Sequence, residues 1–106
     1  MKKIDIELIR KLCDSNKIKW TVHCLERIQE RDITIDDVKN CILNGEIIEN
    51  YPDDFPYPSA LIFGLRKNKT VIHVVCGSDQ IFLYIITAYI PNLLKFEQDM
   101  KTRRIK

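Results

Sequence analysis

The sequence predicts an α+β domain in which N-terminal helices pack on a four-stranded antiparallel β-sheet. Two patterns indicate this fold class. Up to residue 44, apolar residues recur at helical spacing behind capping residues. From residue 46 to residue 90, short apolar runs alternate with turn-forming residues, as in strands. With 106 residues, of which 45% are hydrophobic, the chain is long enough for one core, so we predict a single domain over residues 1–106.

The first two helices follow from apolar spacing and capping residues. Helix one is predicted over Met1–Asp14, because apolar residues there recur every three or four positions. Lys17–Trp20 is interpreted as a connector that ends in a core tryptophan. Helix two is predicted over Thr21–Arg31, and the Thr21 hydroxyl is expected to cap it.

The third helix is bounded on both sides by residues typical of helix ends. Thr34 supplies a capping oxygen, and acidic residues follow it in the first turn. Asn44 and Gly45 are expected to end the helix, with the glycine in the left-handed conformation that helix C-termini often need.

Four strands are predicted to form an antiparallel meander: Glu46–Tyr51, Ser59–Arg66, Thr70–Cys76 and Ile81–Tyr89. Three prolines keep the segment between the first two strands irregular. Pro91 ends the sheet, and a short helix or turn is expected before a basic tail at residues 101–106, which could contact a phosphate backbone or merely solubilise the chain.

Composition constrains the function only loosely. The formal charge of +2 leaves nucleic-acid binding open. The four cysteines form no CxxC pair, so we expect buried, reduced thiols with no disulfide, metal or other cofactor. The N-terminus lacks a signal-peptide pattern and no apolar run is long enough to span a membrane, so we expect no membrane association and a cytoplasmic location.

The second helix carries the first candidate site. His23, Arg27 and Arg31 are spaced four residues apart and so lie on adjoining turns. An imidazole that exchanges protons near neutral pH, beside two guanidinium groups that can hold a phosphate, suits acid–base chemistry on a phosphodiester. The alternative is an ordinary solvated face, since Glu26 and Glu30 lie beside the basic residues.

The strands carry a second set of polar residues. His73 lies inside an apolar strand, and Thr87 and Tyr89 end the last strand. Whether they meet depends on the register, which the turn at residues 77–80 sets. A two-residue turn would put His73 opposite Tyr84, whereas a three-residue turn or a bulge would put His73 and Thr87 on one face.

Over residues 18–92 the chain resembles the bacterial family named domain of unknown function 4258. The resemblance rests on the combined order of these segments: His23-x3-Arg27-x3-Arg31-Asp32-Ile33, Asn44-Gly45-Glu46-Ile47-Ile48, Tyr51-Pro52, Pro58-Ser59, Gly64, His73-Val74-Val75 and Ile86-Thr87-Ala88-Tyr89-Ile90-Pro91. One residue departs from the family pattern, because Asp32 stands where a glycine is common.

The resemblance implies the architecture of small ribonuclease and toxin domains of the RelE, barnase and colicin type, and a toxin-like, metal-independent endoribonuclease that a partner protein neutralises. The ribose 2′-hydroxyl would attack the adjacent phosphate of RNA. The residues at the family's polar positions are His23, Arg27, Arg31, His73, Thr87 and Tyr89. His23 would move a proton with His73 as the second carrier, and the arginines would stabilise the phosphate charge. The alternative is a non-catalytic domain that binds a protein or nucleic acid.

Overall fold

The computed structural model describes residues 4–104, so the predicted helical residues Met1–Lys3 and the tail residues Ile105 and Lys106 lie outside the description. Within the described range, eight elements follow one another: α1 (Ile6–Asp14), β1 (Ile18–Trp20), α2 (Val22–Glu30), α3 (Ile35–Asn44), β2 (Glu46–Tyr51), β3 (Ser59–Leu65), β4 (Val71–Ser78) and β5 (Leu83–Tyr89). The predicted α+β class is confirmed, and each predicted strand agrees with an observed one to within two residues.

The sheet corrects the predicted architecture. It has five strands in the order β1-β5-β4-β3-β2, and β1 runs parallel to β5. The prediction of a purely antiparallel four-stranded sheet was therefore wrong. The segment interpreted as a connector forms β1, with Ile18 opposite Leu83 and Trp20 opposite Ile85. Three residues are too few to show strand periodicity, and the pairing with β5 is formed only in the folded chain.

The predicted starts of the second and third helices are confirmed at atomic detail. The predicted start of helix one was wrong for Ile4 and Asp5, because Asp5 has an extended backbone and α1 begins only at Ile6. The Thr21 hydroxyl accepts a hydrogen bond from the Cys24 amide at 3.0 Å, and this bond caps α2. The Thr34 hydroxyl accepts from the Asp37 amide while the Asp37 carboxylate accepts from the Thr34 amide, which forms a capping box. Asp5 caps α1 in the same way as Thr21 caps α2. Local side-chain chemistry therefore sets where each helix begins.

Helix α2 ends in a Schellman motif built on Asp32. The Ile33 amide donates to the Ile28 carbonyl at 2.8 Å, and the Asp32 amide donates to the Gln29 carbonyl. Asp32 has a φ of 57°, the left-handed region that favours glycine. The residue that departs from the expected glycine thus lies at a position where a glycine is physically preferred.

Helix α3 ends at Asn44 as predicted, but the reason given for Gly45 was wrong. Gly45 has a φ of −94° and is not left-handed. A Cβ atom there would collide with the carbonyl oxygens of Cys41 and Phe63, so the glycine lets α3 pass closely over β3. The Arg10 guanidinium donates to the Gly45 carbonyl at 2.5 Å and so binds the end of α3 to α1.

The sheet has two unlike faces, which we call the helix face and the open face. The helix face bears the main core, in which side chains from all three helices pack on alternate residues of the strands, among them Ile62, Ile72, Val74, Cys76, Leu83, Ile85 and Ala88. Trp20 packs against this core, as predicted. All four cysteines are free and buried.

The open face is partly covered by the C-terminal segment, residues 91–104. The expected short helix or turn is a series of turns, and an isolated bridge pairs Phe96 with Arg103. The Phe96 side chain is 2% exposed, so it is the anchor of this segment. Arg103 and Lys101 form ion pairs with Glu49 and Glu46 of β2 at 2.8 and 2.9 Å. The segment therefore crosses from β5 to the opposite edge of the sheet.

We expect Asp32→Gly to stabilise the protein. The substitution relieves the left-handed strain of a residue with a Cβ atom and removes a negative charge from a helix C-terminus, which together contribute about 1 kcal/mol. Thermal unfolding should show a rise in Tm of about 4 °C or more. Asp32→Ala removes the charge but keeps the Cβ atom, and it serves as the control. A rise that is equal in both variants would contradict the backbone explanation.

Candidate functional site

A bulge in β5 decides which side chains share the open face. Val75 lies opposite Thr87, but Cys76 lies opposite Ile85, so Ile86 is an extra residue. The connection from Ser78 to Leu83 has four residues, unlike either turn considered from the sequence. Without the bulge, that connection would turn Thr87 toward the helix face. With it, His73 lies opposite Tyr89, and Thr87 and Tyr89 project from the same face as His73.

Arg31 connects the end of α2 to β5. Its Nη1 atom donates to the Ala88 carbonyl at 2.8 Å and lies 3.3 Å from the Thr87 hydroxyl oxygen. This contact is possible because β1 stops at Trp20, opposite Ile85, and leaves the rest of the β5 edge to α2. Among residues 4–104, no carboxylate lies within ion-pair distance of Arg31. Its charge is therefore available to an anion.

His23 and Arg27 continue the same helix face. Arg27 Nε donates to His23 Nε2 at 3.4 Å, and both side chains are exposed. Arg27 also lies 3.7 Å from Glu30, an exposed pair that contributes little to stability. Since α2 rises about 1.5 Å per residue, His23 and Arg31 are about 12 Å apart along the axis. His23, Arg27 and Arg31 therefore form an exposed row, which we call the α2 row.

His73 is placed differently from the α2 row. Its side chain is fully buried, beneath the C-terminal segment. The Phe96 ring meets it edge-on at 4.6 Å between centroids, and the Tyr89 and Phe63 rings lie at 5.4 and 6.2 Å. Its Nε2 atom is 2.6 Å from the Met100 carbonyl oxygen, which can only accept, so Nε2 carries the proton. The Tyr89 hydroxyl, at 3.4 Å, can then donate to Nδ1.

Burial favours the neutral form of this imidazole. Desolvation lowers the pKa of His73 below its ordinary value, although the hydrogen bond to the Met100 carbonyl opposes the shift. Desolvation also raises the pKa of the Tyr89 phenol. His73 is thus a neutral ring with both nitrogens engaged, and it is closed to a polymer in this conformation.

The six residues predicted from the sequence thus fall into two groups. Arg31 and Thr87 are joined directly, and His23 and Arg27 extend that contact along α2. Tyr89 is half-buried and lies between the groups, since it lines a depression with Arg31 and Ile90 and also contacts His73. His73 forms the covered group.

Sequence reasoning underestimated the C-terminal segment. Lys95 and Arg103 lie beside Tyr89 and Ile90, and Arg104 lies beside Lys95 and Arg103. These three residues extend the cationic surface beyond the α2 row. The sequence signal was the basic run after residue 100, which was interpreted as a tail. Its placement depends on the burial of Phe96 under the sheet, a contact between residues distant in sequence.

A concavity larger than those beside Tyr89 and Ile90 lies elsewhere. A groove of about 990 Å³ runs between α3 and the end of β3, lined by residues that include Asn40, Asn44, Lys67 and Lys69. Asn40 donates to the Leu65 carbonyl and Asn44 donates to Asn40, so these amides are satisfied internally. None of the six predicted residues lines it. Its lining contains no histidine or cysteine, and its one carboxylate, Glu46, pairs with Lys101 at 2.9 Å.

No three His, Cys, Asp or Glu side chains between residues 4 and 104 are grouped so that they could hold a metal ion. Burial raises the pKa of Cys41 to about 12 and raises that of Cys76 as well, so both stay protonated near neutral pH. These thiols are core residues rather than nucleophiles.

Fold and site together define a small α+β domain with an exposed cationic helix row at the edge of a mixed sheet. The family Domain of unknown function (DUF4258) matches residues 20–90, which is more than half of the chain. The chain therefore belongs to this family, as the sequence motifs indicated. No curated protein and no solved structure matches it. None of the helices in the described part of the chain is long and apolar enough to cross a membrane.

The buried imidazole predicts a pH dependence of stability. His73 has a lowered pKa when folded and an ordinary value near 6.5 when unfolded, so the unfolded chain binds more protons as the pH falls through about 6.5. The free energy of unfolding should therefore fall between pH 7 and pH 5, with a slope of at most about 1.4 kcal/mol per pH unit.

Urea unfolding at several pH values measures this slope. His73→Gln, which keeps a donor for the Met100 carbonyl, should reduce it. Equal slopes for the wild type and His73→Gln would show that His73 does not cause the effect.

Proposed function

We propose that this protein binds RNA along the α2 row and cleaves it without a metal ion, through attack of a ribose 2′-hydroxyl on the adjacent phosphate. The observation that carries the proposal is the contact of Arg31 with Thr87 and the Ala88 carbonyl. It fixes the cationic end of α2 against a strand hydroxyl on an exposed edge. A phosphate there would meet a guanidinium and a hydroxyl together.

The arginines supply the electrostatic part of the chemistry. Arg27 and Arg31 are one turn apart, about 6 Å along the helix, so they can hold one phosphate or two successive phosphates. Nη1 of Arg31 donates hydrogen bonds to the Thr87 hydroxyl and the Ala88 carbonyl. A guanidinium has five N–H groups, so several remain to donate to a ligand. Positive charge aimed at the phosphate stabilises the negative charge that builds up on its oxygens during attack.

His23 is the proton carrier in this proposal. Its Nε2 atom accepts from Arg27 at 3.4 Å, and in the proposed mechanism this nitrogen exchanges that contact for the 2′-hydroxyl when RNA binds. It takes the proton of the 2′-hydroxyl as the new bond from that oxygen to phosphorus forms. The bond from phosphorus to the 5′-oxygen breaks, and this oxygen takes a proton from water. The products are a 2′,3′-cyclic phosphate and a 5′-hydroxyl end.

His73 has no part in proton transfer in this mechanism, because the ring is fully buried and both of its nitrogens are engaged. The same observation favours a second candidate function, which is RNA binding without cleavage. In that case the α2 row holds phosphates, and His73 only anchors the C-terminal segment.

The type of ribonuclease architecture is also part of this proposal. A RelE, barnase or colicin type of ribonuclease architecture is consistent with helices on one sheet face and polar residues at the strand ends. If the protein acts as a toxin, a neutralising partner protein would have to cover Arg27 and Arg31, which are exposed.

The experiment is cleavage of a mixed-sequence RNA in excess chelator, with products analysed for their end groups. The wild type should produce 2′,3′-cyclic phosphate ends. We expect His23→Ala and Arg31→Ala each to slow cleavage about 100-fold or more, because each removes one element of proton transfer or charge stabilisation.

Two matched variants separate chemistry from structure. Arg27→Ala should lose activity, whereas Glu30→Gln, which breaks the same ion pair but keeps the guanidinium, should not. Circular dichroism must show each variant folded. RNA binding without cyclic phosphate products would select the second candidate, and neither binding nor cleavage would reject both.

A further inference from the structure

Three depressions adjoin one another along the end of β5 and the C-terminal segment. The first, of about 380 Å³, is lined by Arg31, Tyr89 and Ile90. The second, of about 270 Å³, shares Tyr89 and Ile90 with the first and adds residues up to Arg103. The third, of about 400 Å³, shares Asn92, Lys95 and Arg103 with the second. Because each shares wall residues with the next, they form one path, which we call the β5 groove.

Positive charge predominates along the β5 groove. The cationic groups of its lining are Arg31, Lys95, Arg103 and Arg104. Within residues 4–104, Lys95 and Arg31 have no carboxylate within ion-pair distance.

The two remaining arginines of the groove are paired with carboxylates. Arg103 pairs with Glu49 at 2.8 Å through Nε, and Arg104 pairs with Glu97 at 3.0 Å. Two cations of the groove are thus neutralised within the chain and two are not. The charge left over suits an anionic ligand.

Exposed apolar side chains lie between these charges. Ile90 is 51% exposed and Leu94 is 76% exposed, and both line the groove. Aliphatic side chains next to cations offer apolar contact area to a ligand that presents phosphates and unpaired base faces together. Duplex RNA hides its base faces within the stack, whereas a single strand can turn them toward Ile90 and Leu94.

We propose that the β5 groove binds single-stranded RNA and extends the α2 row, so that a strand runs from Arg31 past Lys95 to Arg104. This inference rests on the proposed function for the identity of the ligand. It adds the substrate class, which is a single strand several nucleotides long, and the path that the strand follows.

The groove also spans the boundary of the family match. Arg31, Tyr89 and Ile90 lie inside the matched residues 20–90, whereas Lys95, Arg103 and Arg104 lie beyond them. The near end of the groove thus belongs to the family region and the far end does not. A longer RNA strand should bind more tightly than a short one, because only the longer strand reaches the residues at the far end of the groove.

The test measures binding of 2′-O-methyl RNA, which cannot be cleaved, by fluorescence anisotropy over a range of salt concentrations. The wild type should bind a strand of about 8 nucleotides more tightly than one of about 3, and should bind the longer strand more tightly than a duplex of the same length. Lys95→Gln should remove one phosphate contact and reduce the salt slope by about 0.7. Leu94→Ser should weaken binding of the single strand and leave the duplex unaffected.

Lys11→Gln is the control, since Lys11 is exposed on α1, which packs on the helix face. Its salt slope should equal that of the wild type. Three results would each contradict the proposal that the β5 groove binds single-stranded RNA. They are equal affinities for short and long strands, tighter binding of the duplex, and an unchanged salt slope in Lys95→Gln. This test can be distinguished from the cleavage assay. Length-dependent binding without cleavage would reject only the proposed ribonuclease activity. Cleavage without length-dependent binding would reject only the proposed RNA path along the β5 groove.

Discussion

The extra residue in β5 is the constraint on which the arrangement of the site depends. By inserting Ile86 opposite the junction of Val75 and Cys76, the bulge turns Thr87 and Tyr89 to the open face while the earlier residues of β5 keep their place in the core. Arg31 can then meet Thr87 at the edge that β1 leaves free. One backbone irregularity thus brings the α2 row and the end of β5 together, and the sequence left that register open.

Features that depend on neighbouring residues were predicted well. Thr21 and Thr34 cap their helices as expected, because a hydroxyl that accepts from an amide three residues later is a local matter. The positions of His23 and Arg27 on one exposed face of α2 were equally predictable, because helical periodicity places residues four apart on the same face. Gly45 shows the limit of such reasoning. The glycine follows the end of α3 as predicted, but its backbone is not left-handed. A glycine is needed there because α3 passes close to β3.

Features that depend on distant residues were not predictable. The parallel pairing of β1 with β5 joins residues more than sixty positions apart, and the three-residue strand carries no pattern of its own. The register between His73 and Tyr89 depends on a four-residue turn together with a bulge. The burial of His73 depends on Phe96, which folds back across the sheet. An unusual histidine in an apolar strand was therefore correctly noticed, but its surroundings place it in the aromatic cluster under the C-terminal segment.

The most direct test of the account is to locate RNA on the folded protein by NMR, with a non-cleavable strand titrated into isotope-labelled chain. We expect the largest chemical-shift changes at Arg27, Arg31 and Thr87, with further changes in residues 92–95. Changes centred on the large groove between α3 and β3, at Asn40, Asn44 and residues 64–69, would contradict it. That result would mean that the groove between α3 and β3, and not the α2 row, is the functional surface.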